Sequence, residues 1–379
     1  MLRKMLSLLI LLPCITLTSS GFLRAQTTYG AEKLGPQEYN FTTVDSPGLY
    51  QEVDTGWFVT WVNNSGLVSQ MYIGIDGNTH TAVLLEDGWK VIDVPGATNT
   101  AGTNANSQGQ IALTYWGADG VPHLAIWKEG RYSYINDPCP AEYTYGLAVG
   151  INDLGQVTSY VVDSNGVSLA CVGSPGKHPV FPYSGAVFGF PGAVGTIPLM
   201  TNDLGVTVGA YWDAQGVQHG FVHHMFGNVF TSVDFPGASN SWVQGINDEG
   251  IMNGSAQLNA SGNWAGFEII GGHIEDWNMP DAVQTDLFVI TNDLRVAGLY
   301  QSADGVWHGF VATPRGVSNQ AAEKLDPEGD GGFNFRIKPT ESTLALATEG
   351  RFPPISPETS SFSVRTENGG KRVPPFPVP

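Results

Sequence analysis

Asn202-Asp203-Leu204-Gly205-Val206-Thr207-Val208-Gly209-Ala210-Tyr211-Trp212 is the stretch that decides the fold. Four turn-forming residues lead into a run rich in β-formers. Asp213-Ala214-Gln215-Gly216 signals the next turn, because Asp bonds its own backbone and Gly supplies positive φ. Val217–His223 reads as a second strand, Gly227-Asn228 as a turn and Val229–Phe235 as a third strand. Pro236-Gly237-Ala238 breaks that strand, and Ser239–Ile246 reads as a fourth, which ends at Asn247-Asp248. None of these runs keeps helical periodicity over the 11 or so residues that a helix needs.

The pattern Asn-(Asp/Asn/Ser)-x-(Gly/Arg) starts at Asn63, Asn106, Asn152, Asn202, Asn247 and Asn292, at spacings of 43, 46, 50, 45 and 45 residues. Four short antiparallel strands repeated at that period are the arithmetic of a β-propeller blade. The chain ends fit a ring. Phe41-Thr42-Thr43-Val44-Asp45-Ser46-Pro47-Gly48 matches Phe230-Thr231-Ser232-Val233-Asp234-Phe235-Pro236-Gly237, so an outer-strand sequence precedes the first complete unit. The last unit loses the pattern after His308-Gly309-Phe310-Val311. Pairing the early strand with the last blade leaves no open sheet edge, and a linear solenoid has no need of such a split repeat. The expected fold is all-β: a six-bladed propeller of four-stranded antiparallel blades over residues 39–316. Unit three carries an insertion around Lys177–Gly185, with Ala186–Phe190 as its outer strand. Unit five has Met279-Pro280-Asp281-Ala282 in place of Phe-Pro-Gly-Ala.

Asn-Asp-x-Gly, then Gly-x-Tyr, Asp-x-x-Gly, His-(Gly/Ala)-Phe and Asp-x-Pro-Gly-Ala together resemble the probable extracellular repeats of the HAF family, over roughly residues 41–311. The match is clearest at Asn202–Ala238 and Asn292–Val311. The characteristic His stands at His80, His123, His219 and His308, with Leu169 and Ala265 in the other two places. The resemblance implies a secreted β-propeller-like protein, mostly bacterial in occurrence, and implies no reaction.

Met1-Leu2-Arg3-Lys4, the apolar stretch Met5–Leu17 and Leu23-Arg24-Ala25 predict a secretory signal peptide over residues 1–25, followed by a linker over 26–38. Pro13 before Cys14 argues against lipidation. No other segment holds the roughly 18 apolar residues of a membrane span, so no membrane insertion is expected. Residues 26–316 carry 7 Lys/Arg against 27 Asp/Glu. So acidic a surface repels nucleic acid and anionic lipid, which excludes both as partners. Residues 317–379 differ in kind: they hold 9 of the 24 prolines and 7 basic residues, and read as a flexible or extended tail. Pro374-Pro375-Phe376-Pro377 favours polyproline II and suits an unstructured end or a partner motif. Export permits a disulfide between Cys139 and Cys171. Their positions, one in a crossing loop and one mid-strand, argue against it. No Cys/His spacing supports zinc, and neither metal nor cofactor is expected.

The Asn-Asp turns and the His of His-Gly-Phe recur once per unit, which marks both as structural; a catalytic His is singular and paired with a base or nucleophile. The segments before each Asn-Asp turn, which form the inner strands, hold no carboxylate or His: Val59–Val62, Gly102–Ala105, Ala148–Ile151, Pro198–Thr201, Val243–Ile246 and Phe288–Thr291. A carboxylate-lined catalytic channel is therefore not expected. At the entrance to those strands, aromatics stand beside neutral hydrogen-bonding groups. Trp57, Asn99, Tyr143, Tyr145, Asn240, Trp242 and Asp286 are the candidate ligand-binding residues, for a sugar or a peptide. The competing reading is that Trp57, Tyr145 and Trp242 pack between blades. Asp54, Glu142, Asp281 and Asp286 are the acids near this entrance. The expectation is a monomeric, non-catalytic module that binds an extracellular glycan or protein. The alternatives are a polysaccharide hydrolase or lyase drawing on two of those acids, and a repeat protein without a small ligand.

Overall fold

The computed structural model describes residues 35–45, 58–74, 76–135, 139–174, 186–258 and 262–315. The expected signal peptide, the linker up to residue 34, the tail and the insertion at Lys177–Gly185 lie outside them. The described chain forms six four-stranded antiparallel sheets in sequence order, the blades of a β-propeller. Blade 1 comprises Phe58–Val62, Val68–Ile73, Thr79–Leu85 and Gly88–Val91. The inner strands of blades 2 to 5 are Asn99–Ala105, Thr144–Ile151, Gly195–Thr201 and Ala238–Ile246. Blade 6 comprises Gln284–Ile290, Val296–Gln301 and Trp307–Pro314, and takes its outer strand, Tyr39–Thr43, from the N-terminal side of the ring. Tyr39 lies opposite Pro314 and Thr43 opposite Phe310. The split repeat thus closes the ring as its sequence requires.

Two ends of each blade follow from this topology. One carries the turns between first and second strands, which hold the Asn-Asp motif; this is the turn face. The other carries the Asp-x-x-Gly turns and the segments that pass from an outer strand to the next inner strand; this is the crossing face. The Gly of Gly-x-Tyr has a packing cause. Inner strands bulge at Pro198/Met200 and Leu287/Val289. A Cβ on Gly209 would lie 2.2 Å from the Ile197 carbonyl oxygen, and one on Gly298 2.0 Å from that of Asp286. No side chain fits at those two positions.

The Asn of each turn does two jobs. Asn202 Oδ1 accepts from the Leu204 and Val206 amides at 3.1 and 2.9 Å, closing its own turn. Its Nδ2 donates to the Asn247 carbonyl of the next blade at 2.9 Å. The same inter-blade bond runs from Asn63 to Asn106, from Asn106 to Asn152, from Asn152 to Asn202 and from Asn247 to Thr291. The last acceptor corrects the sixth repeat. Thr291, not Asn292, occupies the first turn position, and Leu294, at φ 63°, occupies the position held by Gly elsewhere. At the seam the missing Asn amide is replaced by Arg295, whose Nη1 donates to the Asn64 carbonyl at 2.9 Å.

Cys139 and Cys171 form a disulfide, with Cα atoms 6.2 Å apart, contrary to the expectation from their positions. Mid-strand side chains of a blade face the neighbouring blade. Cys171 of blade 3 shares a buried cluster with Leu124 and Ile126 of blade 2 and with the crossing segment that holds Cys139. Mid-strand and crossing loop are therefore neighbours across a blade boundary.

Candidate functional site

The crossing face carries a repeated polar cluster. In blade 1, His80 Nδ1 meets Asp93 Oδ2 at 2.5 Å and Nε2 meets Asp76 Oδ1 at 3.2 Å. Asp76 comes from the turn between the second and third strands, and Asp93 from the Asp-x-Pro-Gly-Ala segment that ends the outer strand. In blade 4, His219 lies between Asp234 at 2.7 Å and Asp213 at 3.4 Å. In blade 6, His308 Nδ1 meets Asp45 at 2.6 Å and Nε2 meets Ser302 Oγ at 3.2 Å. In blade 2, His123 Nε2 meets Asp119 at 2.8 Å. Each imidazole lies against a Tyr of the second strand, with ring centres 5.0–5.3 Å apart: Tyr72, Tyr115, Tyr211 and Tyr300. Because the carboxylates hold the protonated form, His80 is pushed up to about 9 and His219 is raised.

The chain contains its own comparison. Where the His is replaced, the outer-strand carboxylate is gone too. Blade 5 has Ala265 with Asn278, whose Oδ1 keeps only the bond from the Gly266 amide, at 2.9 Å. Blade 3 has Leu169 with Gly189, and a Cβ on Gly189 would sit 2.9 Å from a Leu169 methyl. Among the described residues His123 of blade 2 meets only the turn acid Asp119, whereas in blades 1, 4 and 6 His and outer-strand Asp form one unit. Its first role is a clamp between the third strand and the outer strand, and the once-per-unit recurrence made that structural role legible. The pairing itself was not legible, since 13 to 15 residues separate the partners within blades 1 and 4, and 263 separate them in blade 6.

The clamp leaves acceptor capacity open. A carboxylate offers about four lone-pair directions. Asp93 uses one on His80 and one on the Thr81 amide at 3.0 Å. The side chains of Asp76, Asp119 and Asp234 are about half exposed, as is His123.

The residues singled out from sequence divide by burial. Asn99, Tyr143 and Asn240 are partly exposed on the crossing face. Asn99 Oδ1 accepts from the Thr79 amide at 2.8 Å, and Asn240 Nδ2 donates to Gln257 Oε1 at 2.9 Å. Tyr145 and Trp242 are buried, at 8% and 2% exposure, so for these two the packing alternative holds. Trp242 meets Trp212 edge to face, with ring centres 6.1 Å apart, in a cluster that includes Ile197 and Trp264. Asp286, 2% exposed, is no surface group either. It accepts from Gln244 at 2.7 Å and Ser255 at 2.5 Å, ties blade 6 to blade 5, and is pushed up to about 7 by burial. Trp57 and Asp54 lie outside the described residues, Glu142 is exposed in a turn, and Asp281 sits at φ 63° in the crossing segment of blade 5.

The turn-face mouth of the channel carries acids that the inner-strand segments lack. The inner-strand ends do supply an apolar neck of Val62, Ala105, Ile151, Ile246 and Ile290. The second turn positions, however, add Asp153, Asp203 and Asp248 to its rim. These link head to tail with the other blades: the Asp153 amide donates to Asp203 at 3.0 Å, Asp203 to Asp248 at 2.9 Å, Asp248 to Asn292 at 2.9 Å and Asn292 to Asn64 at 2.7 Å. Burial, then the two neighbouring carboxylates, raises Asp203. The open mouth has about 60 Å³ of water-accessible space, room for ordered waters.

Six radial four-stranded blades with these rims define a six-bladed β-propeller. Among solved structures, the chain is similar to the fucose-specific lectin from Aleuria aurantia (14% identity, 73% of this chain and 100% of the other, TM-score 0.37). It is also similar to AofleA from Arthrobotrys oligospora (12%, 70% and 83%, TM-score 0.42) and to Trypanosoma rangeli sialidase in complex with the inhibitor DANA (12%, 68% and 54%, TM-score 0.42). Likenesses of this size say nothing about what this chain binds. No protein-family model and no curated protein matches it. No helix among the described residues is long and apolar enough to cross a membrane.

Proposed function

We propose that this protein is an exported, non-catalytic binding module whose crossing face engages neutral glycans, and that its repeats belong with the HAF extracellular repeats. The observation that carries the reading is the recurrence, on one face, of half-exposed carboxylates with unused acceptor positions. Glycan hydroxyls donate to such acceptors, and Asn99, Asn240 and Tyr143 on the same face add amides and a ring. The acidic body repels uronic-acid or sulfated polymers, which points to uncharged sugars. Several equivalent sites in one ring make weak contacts additive through avidity. The Cys139–Cys171 bond suits an oxidising compartment.

The test is an array of neutral and anionic glycans probed with the full chain, with reducing ends and unsaturated products assayed in the same wells. Retention on neutral glycans that weakens in Asp119→Asn and Asp234→Asn, without new ends, supports the reading. New ends would replace it with a hydrolase or lyase. Retention only on anionic glycans, or none at all, would overturn it in favour of a protein partner or a purely structural repeat.

A further inference from the structure

The turn face bears an apolar corner with no structural use. Leu154 and Leu204 hold the third turn positions of blades 3 and 4 and are 45% and 70% exposed. Phe226, 83% exposed, tops the next turn of blade 4; its neighbour Met225 is buried and donates from its amide to the Gly205 carbonyl at 3.0 Å. The three residues therefore stand on neighbouring turns of this face, Leu154 and Leu204 each next in sequence to a rim acid, Asp153 and Asp203, with Asp248 and Glu249 on the following turn. Among the described residues no Lys or Arg pairs with these acids; Arg295, on the same face, pairs with Asp293. Exposed apolar groups edged by uncompensated charge mark a docking surface.

A second copy meeting the patch with its own would bring acid against acid, which disfavours that occupant. The chain itself holds a better match. Trp307–Pro314 runs towards the turn face, so the chain leaves the propeller there, at Arg315. Lys371-Arg372-Val373-Pro374-Pro375-Phe376-Pro377-Val378-Pro379 begins 56 residues after Arg315, and a flexible linker of that length would reach roughly 40 Å, enough to cross the face. Its two cations suit the acidic rim, and its Phe and prolines suit Leu204 and Phe226. Proline restricts the free chain, so docking it costs less entropy.

We infer that the Lys371–Pro379 segment docks on the Leu154/Leu204/Phe226 corner of the turn face, its cations against Asp153, Asp203 and Asp248. The test is limited trypsin digestion of the full chain, comparing cleavage after Lys371 and Arg372 with cleavage after Arg336 and Arg351 and with a free Thr366–Pro379 peptide. Docking at the millimolar effective concentration of a tether slows cleavage at the two C-terminal sites by about tenfold or more relative to the peptide. The double variant Leu204→Ser/Phe226→Ser, at exposed positions, restores the peptide's rate. Peptide-like cleavage in the unaltered chain, protection that survives the double variant, or protection that rises with protein concentration through a second copy's tail each overturns the inference.

Discussion

Asp45 and His308 stand 263 residues apart in sequence and 2.6 Å apart in space, and Asp45 also accepts from the Gly309 amide at 3.0 Å. One carboxylate thus fastens the N-terminal strand of the ring to its last blade. Asp45→Ala removes both bonds and should cost about 2 kcal/mol. Asp45→Asn should cost less, because in blade 5 the Asn278 amide oxygen accepts from the equivalent backbone N–H, that of Gly266. Denaturant melts of the two variants check the order; equal losses would show that the backbone bond contributes nothing.

Leu294 holds a positive-φ position that Gly fills at the first five Asn-Asp turns. Leu294→Gly should stabilise by about 1 kcal/mol, since a β-carbon is disfavoured there by roughly 1–2 kcal/mol and glycine's greater unfolded-state freedom takes back part of the gain. A rise in the urea midpoint is the readout. A fall would mean that the Leu side chain contributes packing that outweighs its backbone strain.

Trp242 fills an inter-blade core, so Trp242→Ala should cost roughly 3–5 kcal/mol and lower Tm by about 10 °C. Calorimetry decides. A shift of a degree or two would instead return Trp242 to the list of surface ligand contacts.

Stability should fall from mildly acidic to mildly alkaline pH. His80, at about 9 in the fold, contributes stability that is complete below its unfolded value near 6.5 and lost as pH rises towards 9. Burial raises Asp286 to about 7 and Glu268 to about 8, so these carboxyls also bind protons more tightly in the fold, and their contributions fade as pH rises through those values. All three act in one direction. Melts between pH 5 and 9 should show a decline that flattens in Glu268→Gln below pH 8; an unchanged slope in that variant would remove Glu268 from the account.

Reducing the Cys139–Cys171 bond, which spans 32 residues, should cost roughly 3–4 kcal/mol through the freedom returned to the unfolded chain. Cys139→Ser/Cys171→Ser measured without reductant, against the parent with and without it, gives the value directly. Equal stability of all three would show that the blade 2–3 packing suffices alone.

The propeller was legible because its signals are local. Turns of Asn, Asp and Gly, strands between them and a period near 45 residues can be read along the chain, and even ring closure follows from Phe41–Gly48 echoing Phe230–Gly237. The site was not legible in the same way. Tyr145, Trp242 and Asp286 are as polar or aromatic as any surface contact, yet side-chain direction in a bulged inner strand decides burial, and the bulges arise only when strands pair. Thr291 takes the Asn place for a similar reason: the sequence aligns Asn292 by identity, while the inter-blade bond from Asn247 selects the residue before it.

The sequence by itself determined the number of blades, their strand order and the closing strand, because hydrophobic patterning and turn chemistry act over a few residues. Only the tertiary structure decided which Asp each His meets, that Cys139 reaches Cys171, and that three turn carboxylates converge on one channel rim. Those relationships join residues on different strands or blades, and their distances are set by how the blades pack around the axis.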